Sequence, residues 1–227
     1  MIPRNSLNIE LDSNNVTRFQ SALLEWFDAN GREFTWRRED TPCYDQVLAE
    51  LMLQRTRAAS VQHHIESILE AYPSWEAILR AGPEQLGRDF RPLGLWKRRA
   101  ASLTALASEM LARGGSFPDN RDELLALPAI GQYMANAILL ITKGQPLPLL
   151  DANMARVLER YFGFERTRVD IRSDPILQRS ASQVLDTLDP KKLNWAILDM
   201  GALVCKPSNP VCDSCPLASR CATRGYT

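Results

Sequence analysis

Four cysteines crowd the end of the sequence: Cys205, Cys212, Cys215 and Cys221, spaced C-x6-C-x2-C-x5-C. A chain of 227 residues can bury a sizeable core without covalent staples. Thiols this dense therefore read as metal ligands rather than as disulfides. Zinc sites commonly use two C-x2-C pairs about 15 residues apart. Here one C-x2-C pair is flanked by single cysteines, which better suits a compact loop wrapped around an iron–sulfur cluster held by four thiolates. Structural zinc is the alternative. Cys43 stands apart and reads as a buried core thiol.

A second constellation is the segment LPAIGQYMANAI, Leu127 to Ile138. Pro128 ends one short helix and Gly131 permits a turn into the next. The backbone N–H groups of Ile130 and Gly131 then lack intrahelical partners, and a phosphate could satisfy them at the positive end of the helix dipole. A plain helix-turn-helix corner reads the same way. Asp151 follows a Pro-rich connector, where an N-cap would sit for a helix over 152–162. Glu50 and Gln54 are four residues apart and share a face of a helix over 45–54, whose Val47, Leu48, Leu51 and Met52 point inward.

The elements that must carry these residues are helical. Apolar periodicity marks helices over 16–30, 45–54, 97–113, 121–127, 132–143, 152–162, 174–187 and 191–204. Ser60 is placed to open another through Tyr72, and Ser74, Gly82 and Pro83 punctuate a short-helix region. With no convincing strand pair, the class is all-α. Hydrophobic content of 45% and charged content of 24% exclude disorder. No apolar run approaches the ~18 residues of a membrane span, so no membrane partner is expected. The N-terminus lacks the apolar core of a secretory signal, which points to a cytoplasmic protein. The 27 basic and 27 acidic residues cancel. Whole-molecule charge therefore gives no argument for nucleic-acid binding, but a local patch is still allowed.

The hairpin, the segment LDANMARVL from Leu150 to Leu158 and the terminal cysteine loop occur in an order that resembles the helix-hairpin-helix DNA glycosylases with an iron–sulfur cluster. Trp36-Arg-Arg, AELMLQRT (49–56), LGLW (93–96) and NWAILDMGALVC (194–205) match as well, so the resemblance spans about residues 18–222. It is strongest to the Mig-type thymine/uracil–DNA mismatch glycosylases, then to the MutY adenine glycosylases.

The resemblance implies two helical domains with a DNA groove between them. One is a six-helix barrel over about 35–146, with the hairpin at about 121–142. The other is a helical domain of 1–34 plus 147–227, whose loop at 205–221 holds a 4Fe–4S cluster through the four cysteines. The cluster's implied role is structural, positioning Lys206 and Arg220 against DNA.

The resemblance makes Asp151 the carboxylate that stabilises positive charge on the sugar as the N-glycosidic bond breaks. Lyase-competent relatives place a lysine at position 133 to form a Schiff base. Tyr133 stands there instead, implying a monofunctional enzyme. Glu50 matches the glutamate that protonates a departing purine in MutY proteins. Gln54 and Leu95 match residues that fill the space left by a flipped base. Arg55, Arg57, Arg91, Lys97, Arg98 and Arg99 flank them as phosphate contacts.

Two departures stand out. Pro42 lies one residue further from Glu50 than in relatives, and Ala129 replaces the usual first hairpin glycine. The chain stops six residues after Cys221, where MutY proteins usually continue into a reader of 8-oxoguanine. Together with the DAN (151–153) and RYFG (160–163) segments, this gives the first expectation: removal of thymine or uracil opposite guanine from double-stranded DNA, by a monomer. A short adenine glycosylase is the alternative. A lesion-binding protein without catalysis is the alternative of another class.

Overall fold

A computed structural model describes residues 10–224. Its α-helices are α1 (Ser13–Asn30), α2 (Cys43–Leu53), α3 (Ala58–Ala71), α4 (Trp75–Asp89), α5 (Trp96–Ala112), α6 (Arg121–Leu125), α7 (Gln132–Lys143), α8 (Ala152–Phe162), α9 (Pro175–Val184) and α10 (Pro190–Leu203). No strand occurs among the described residues, and no helix there is long and apolar enough to cross a membrane.

Most helix starts are written in the sequence as side-chain caps. Asp12, Ser74, Asn120, Asp151, Asp174 and Asp189 each accept a hydrogen bond from a backbone N–H of the first turn they open. Pro175 and Pro190 sit in the first turns of α9 and α10, where a missing N–H costs nothing. Gly82 takes φ 71° and breaks α4 before Pro83. Ser60 does not open a helix: α3 starts at Ala58 behind Arg57, and Ser60 lies inside its first turn.

The chain divides into two compact units. One runs from Glu33 to Lys143 and holds α2 to α7. Here α4 packs on α5, α2 on α3 and α7, and α6 on α7. α2 is apolar nearly all round, with Val47, Leu48 and Met52 fully buried, so it forms the centre of this unit. The other unit joins the residues up to Arg32 with those from Gly144 onward. α10 packs on α1 and α8, and α8 on α9. Phe19 of α1 meets Tyr161 and Phe162 of α8 at ring-centroid distances of 4.8 and 5.3 Å. Arg32 closes the unit on the fully buried Asp199 of α10, with Nη2 to Oδ1 at 2.6 Å and the Arg32 backbone N–H to Oδ2 at 2.7 Å. Breaking such a pair would strand a buried charge.

Candidate active site and cysteine loop

In the α2–α7 unit, Glu50 is 6% exposed on the inner helix α2. The Tyr133 hydroxyl, one residue into α7, donates to Glu50 Oε2 at 3.0 Å. Two residues 83 positions apart in sequence thus share one polar site between α2 and α7. Gln54 does not continue the Glu50 face of the helix. It is the exposed residue at which α2 ends, with ψ 108°, and its amide donates to the Ala129 carbonyl at 3.4 Å.

The hairpin between α6 and α7 corrects two expectations. The Ile130 N–H is not free, because it donates to the Leu127 carbonyl at 3.3 Å. The Gly131 N–H has no partner among the described residues and is the donor left for an outside acceptor. Nor is Gly131 the residue with special backbone. The left-handed position is Ala129, at φ 64°, while a Cβ added at Gly131 would meet open space.

Around these elements Arg55, Leu95, Lys97 and Arg98 are exposed. Arg99 is not part of that surface: it is 8% exposed and turned inward. Cys43 is likewise misread from sequence. As the first residue of α2, behind Pro42, it is exposed rather than buried.

In the other unit, Asp151 caps α8. Its Oδ1 accepts from the backbone N–H groups of Asn153 and Met154, both at 2.8 Å, and its Oδ2 accepts from the Asn153 amide at 3.1 Å. Burial pushes its carboxyl above the ordinary value, outweighing those bonds and the charge of Arg156. The sequence reading missed the residues that hold this aspartate. Asn194 of α10 fixes the connector before it, accepting from the Leu149 N–H at 2.8 Å and donating to the Leu147 carbonyl at 3.1 Å. Gly201 lets α10 approach the cap: a Cβ there would lie 2.6 Å from Asn153 Cβ. Only the NWAILDMGALVC match hinted at either residue.

Cys205, Cys212, Cys215 and Cys221 line one cavity together with Val204, Pro210, Val211 and Arg160. Arg160 fastens the loop, donating to the Lys206 carbonyl at 2.8 Å, the Pro207 carbonyl at 3.1 Å and Cys205 Sγ at 3.5 Å. Burial pushes the Cys215 thiol up, and Cys205, Cys221 and Cys212 lie close enough to add to the shift. Among the described residues no three Cys, His, Asp or Glu side chains converge tightly enough to hold one metal ion. Lys206 and Arg220 are exposed on this loop.

Comparison with known proteins identifies the family. Residues 48–179 match the HhH-GPD superfamily of base excision DNA repair proteins. The thymine-DNA glycosylase of Aeropyrum pernix is 33% identical over 216 residues, covering 93% of this chain and 96% of that protein. The human adenine DNA glycosylase is 30% identical over 227 residues, covering 96% of this chain but 42% of that longer protein. The solved structure of a thermostable thymine-DNA glycosylase superposes with a TM-score of 0.86 at 27% identity, covering 94% of this chain and 98% of that one. With its helical architecture, its hairpin and these likenesses, the chain belongs to the HhH-GPD superfamily of base excision DNA repair proteins and is a DNA glycosylase.

Proposed function

We propose that the chain is a monofunctional glycosylase that hydrolyses the N-glycosidic bond of thymine or uracil opposite guanine, after flipping the base out of the duplex. The observation that carries this reading is the likeness, over nearly the full length of both chains, to a protein named as a thymine-DNA glycosylase.

The chemistry follows from the residues. As the bond to the base breaks, positive charge grows on the sugar, and the Asp151 carboxylate stabilises it in a partly dry setting where such a charge acts strongly. Water adds at C1′ and gives up a proton, leaving an intact abasic site. The leaving pyrimidine carries negative charge, which hydrogen-bond donors in its pocket offset. Tyr133 and Glu50, bonded to each other at 3.0 Å, are assigned to that pocket, where the phenol can turn its single proton from Glu50 Oε2 to the departing base. A phenol cannot form the Schiff base through which a lysine would cleave the strand, so no lyase step is expected. Gln54 and Leu95 fill the vacated stack. Arg55, Lys97, Arg98, Lys206 and Arg220 contact phosphates, and the hairpin at Ile130–Gly131 offers its free N–H to another.

The cysteine cavity fits a 4Fe–4S cluster. Its four thiols line one cavity and are the donor set such a cluster uses, and Arg160 supplies an N–H toward sulfur. When bound, the cluster would supply a cross-link among Cys205, Cys212, Cys215 and Cys221 that closes the loop carrying Lys206 and Arg220 just after α10. The protein is proposed to act as a monomer.

Adenine opposite 8-oxoguanine or guanine is the second reading, favoured by the 30% identity to the human adenine DNA glycosylase. Single-turnover base release separates the two. Duplexes with T:G, U:G, A:8-oxoguanine and A:G are incubated with the enzyme and with Asp151→Asn, then treated or not with alkali. Release from T:G and U:G, strand breakage only after alkali, and no release by Asp151→Asn are expected. Release from the adenine pairs alone would replace the first reading by the second. Strand breakage without alkali would overturn the monofunctional assignment.

A further inference from the structure

The inward turn of Arg99 links two loops that lie far apart in sequence. Its Nη1 donates to the carbonyls of Leu51 at 2.8 Å and Met52 at 2.9 Å, which α2 leaves unpaired at its end. Its Nη2 reaches further, to the Gln54 carbonyl at 3.3 Å and Thr56 Oγ1 at 2.8 Å. The Thr56 hydroxyl accepts that bond and spends its own proton on the Leu93 carbonyl at 3.1 Å, in the 3-10 turn before α5. Ending α2 requires only the first two of these bonds. The continuation through Thr56 to Leu93 serves something else.

Both joined loops hold strained backbone. Arg55, beside Gln54, sits at φ 57°, and Leu95 sits at φ 51°, neither being glycine. Such conformations persist where the surroundings over-determine them, and they gather at functional sites. The side chains presented there are Gln54, exposed, and Leu95, 53% exposed although apolar.

We infer that Arg99 and Thr56 are positioning residues: the chain from guanidinium to hydroxyl to Leu93 carbonyl bolts the Gln54 turn to the Leu95 turn, so that both side chains enter the DNA as one preformed wedge. The inference rests on the proposed role of Gln54 and Leu95 in base flipping. Holding the two in fixed geometry removes from each flipping event the cost of ordering two loops.

The test uses the full chain and a T:G duplex with 2-aminopurine beside the thymine. Its fluorescence reports flipping, and single-turnover release at saturating enzyme reports rate. Thr56→Val keeps the shape and removes the hydroxyl; Thr56→Ser keeps the hydroxyl. Thr56→Val is expected to lower both the flipping signal and the rate by about tenfold. Duplex affinity should stay within about twofold, because phosphate contacts dominate it. Thr56→Ser restores both signals. Thr56→Val combined with Leu95→Ala is no slower than Leu95→Ala alone, since the two act as a unit.

A Thr56→Val enzyme that flips and cleaves normally, while Gln54→Ala and Leu95→Ala are impaired, overturns the positioning role alone. So does equal loss in Thr56→Val and Thr56→Ser, which marks a merely structural residue. Normal flipping by Gln54→Ala and Leu95→Ala overturns the wedge itself, and the positioning role with it.

Discussion

Asp151 and Asp174 are the same residue type in the same local role, each capping a helix, and their surroundings drive them in opposite directions. Burial pushes both carboxyls up. At Asp174 the backbone N–H of Leu177, the Thr167 hydroxyl and the N–H groups of Arg168 and Thr167 together overcome burial and hold it below the ordinary value. Its ionised form is thus favoured by folding. It contributes stability that is present above the unfolded value and lost as pH falls through the lowered folded one. At Asp151 burial wins over the N–H groups of Asn153 and Met154. Its folded value lies above the unfolded one, so its ionisation costs stability as pH rises through that raised value. A carboxyl whose ionisation costs the fold stability is a candidate working group, the role proposed for Asp151. If Asp151 must be ionised to stabilise the sugar cation, release should fall about tenfold per pH unit on its acid limb. The midpoint of that limb should lie above the ~3.9 of a free aspartate. Single-turnover rates on a T:G duplex across acidic pH measure this, and an acid limb at or below the ordinary value would remove Asp151 from the charge-stabilising role.

At the scale of elements, the hairpin shows what a sequence does and does not carry. The range of α7 is legible from its apolar period and from Gly144 after it, because both are local signals. The departure at Ala129 is legible too, as an alanine where relatives have glycine. Its meaning is not, since only the folded chain shows that Ala129 takes φ 64° while Gly131 needs no special backbone. Glu50 and Arg99 follow the same rule. Their residue types suggest chemistry, but which way each turns depends on helices distant in sequence, and sequence alone put Arg99 on the wrong side of α5. The strained alanine gives a prediction. An alanine in the left-handed region costs about 1–2 kcal/mol, partly offset by its lower unfolded-state entropy relative to glycine. Ala129→Gly should therefore stabilise the protein by about 0.5–1 kcal/mol, read as a higher urea midpoint at unchanged slope. A lower midpoint would show that the turn tolerates alanine without strain.

Over the whole molecule, a net charge of zero hides a division of labour among the cations. Some are spent on carboxylates within the fold: Arg32 on Asp199, Lys192 on Asp28 and Lys143 on Asp119. Arg55, Lys97, Arg98, Lys206 and Arg220 are exposed, and among the described residues none of them forms an ion pair. Counting charges misses this because pairing is decided by tertiary contacts. Two of the five ride on the cysteine loop, whose proposed cluster would hold them in place. Lys206→Ala and Arg220→Ala should each weaken binding to matched and mismatched duplexes alike, and each should reduce the slope of log affinity against log salt by about one. Cys215→Ser, which removes a thiolate ligand, should abolish the visible absorbance of an iron–sulfur cluster and weaken binding in the same sequence-independent way. If the cluster acts by holding the loop, Cys215→Ser added to the Lys206→Ala, Arg220→Ala pair changes affinity little further, because the contacts it would position are already gone. Titrations of a labelled duplex over about 50–200 mM salt compare these variants with the unaltered protein. A full additional loss in the combined variant would mean that the cluster supports DNA binding by a route other than these two side chains.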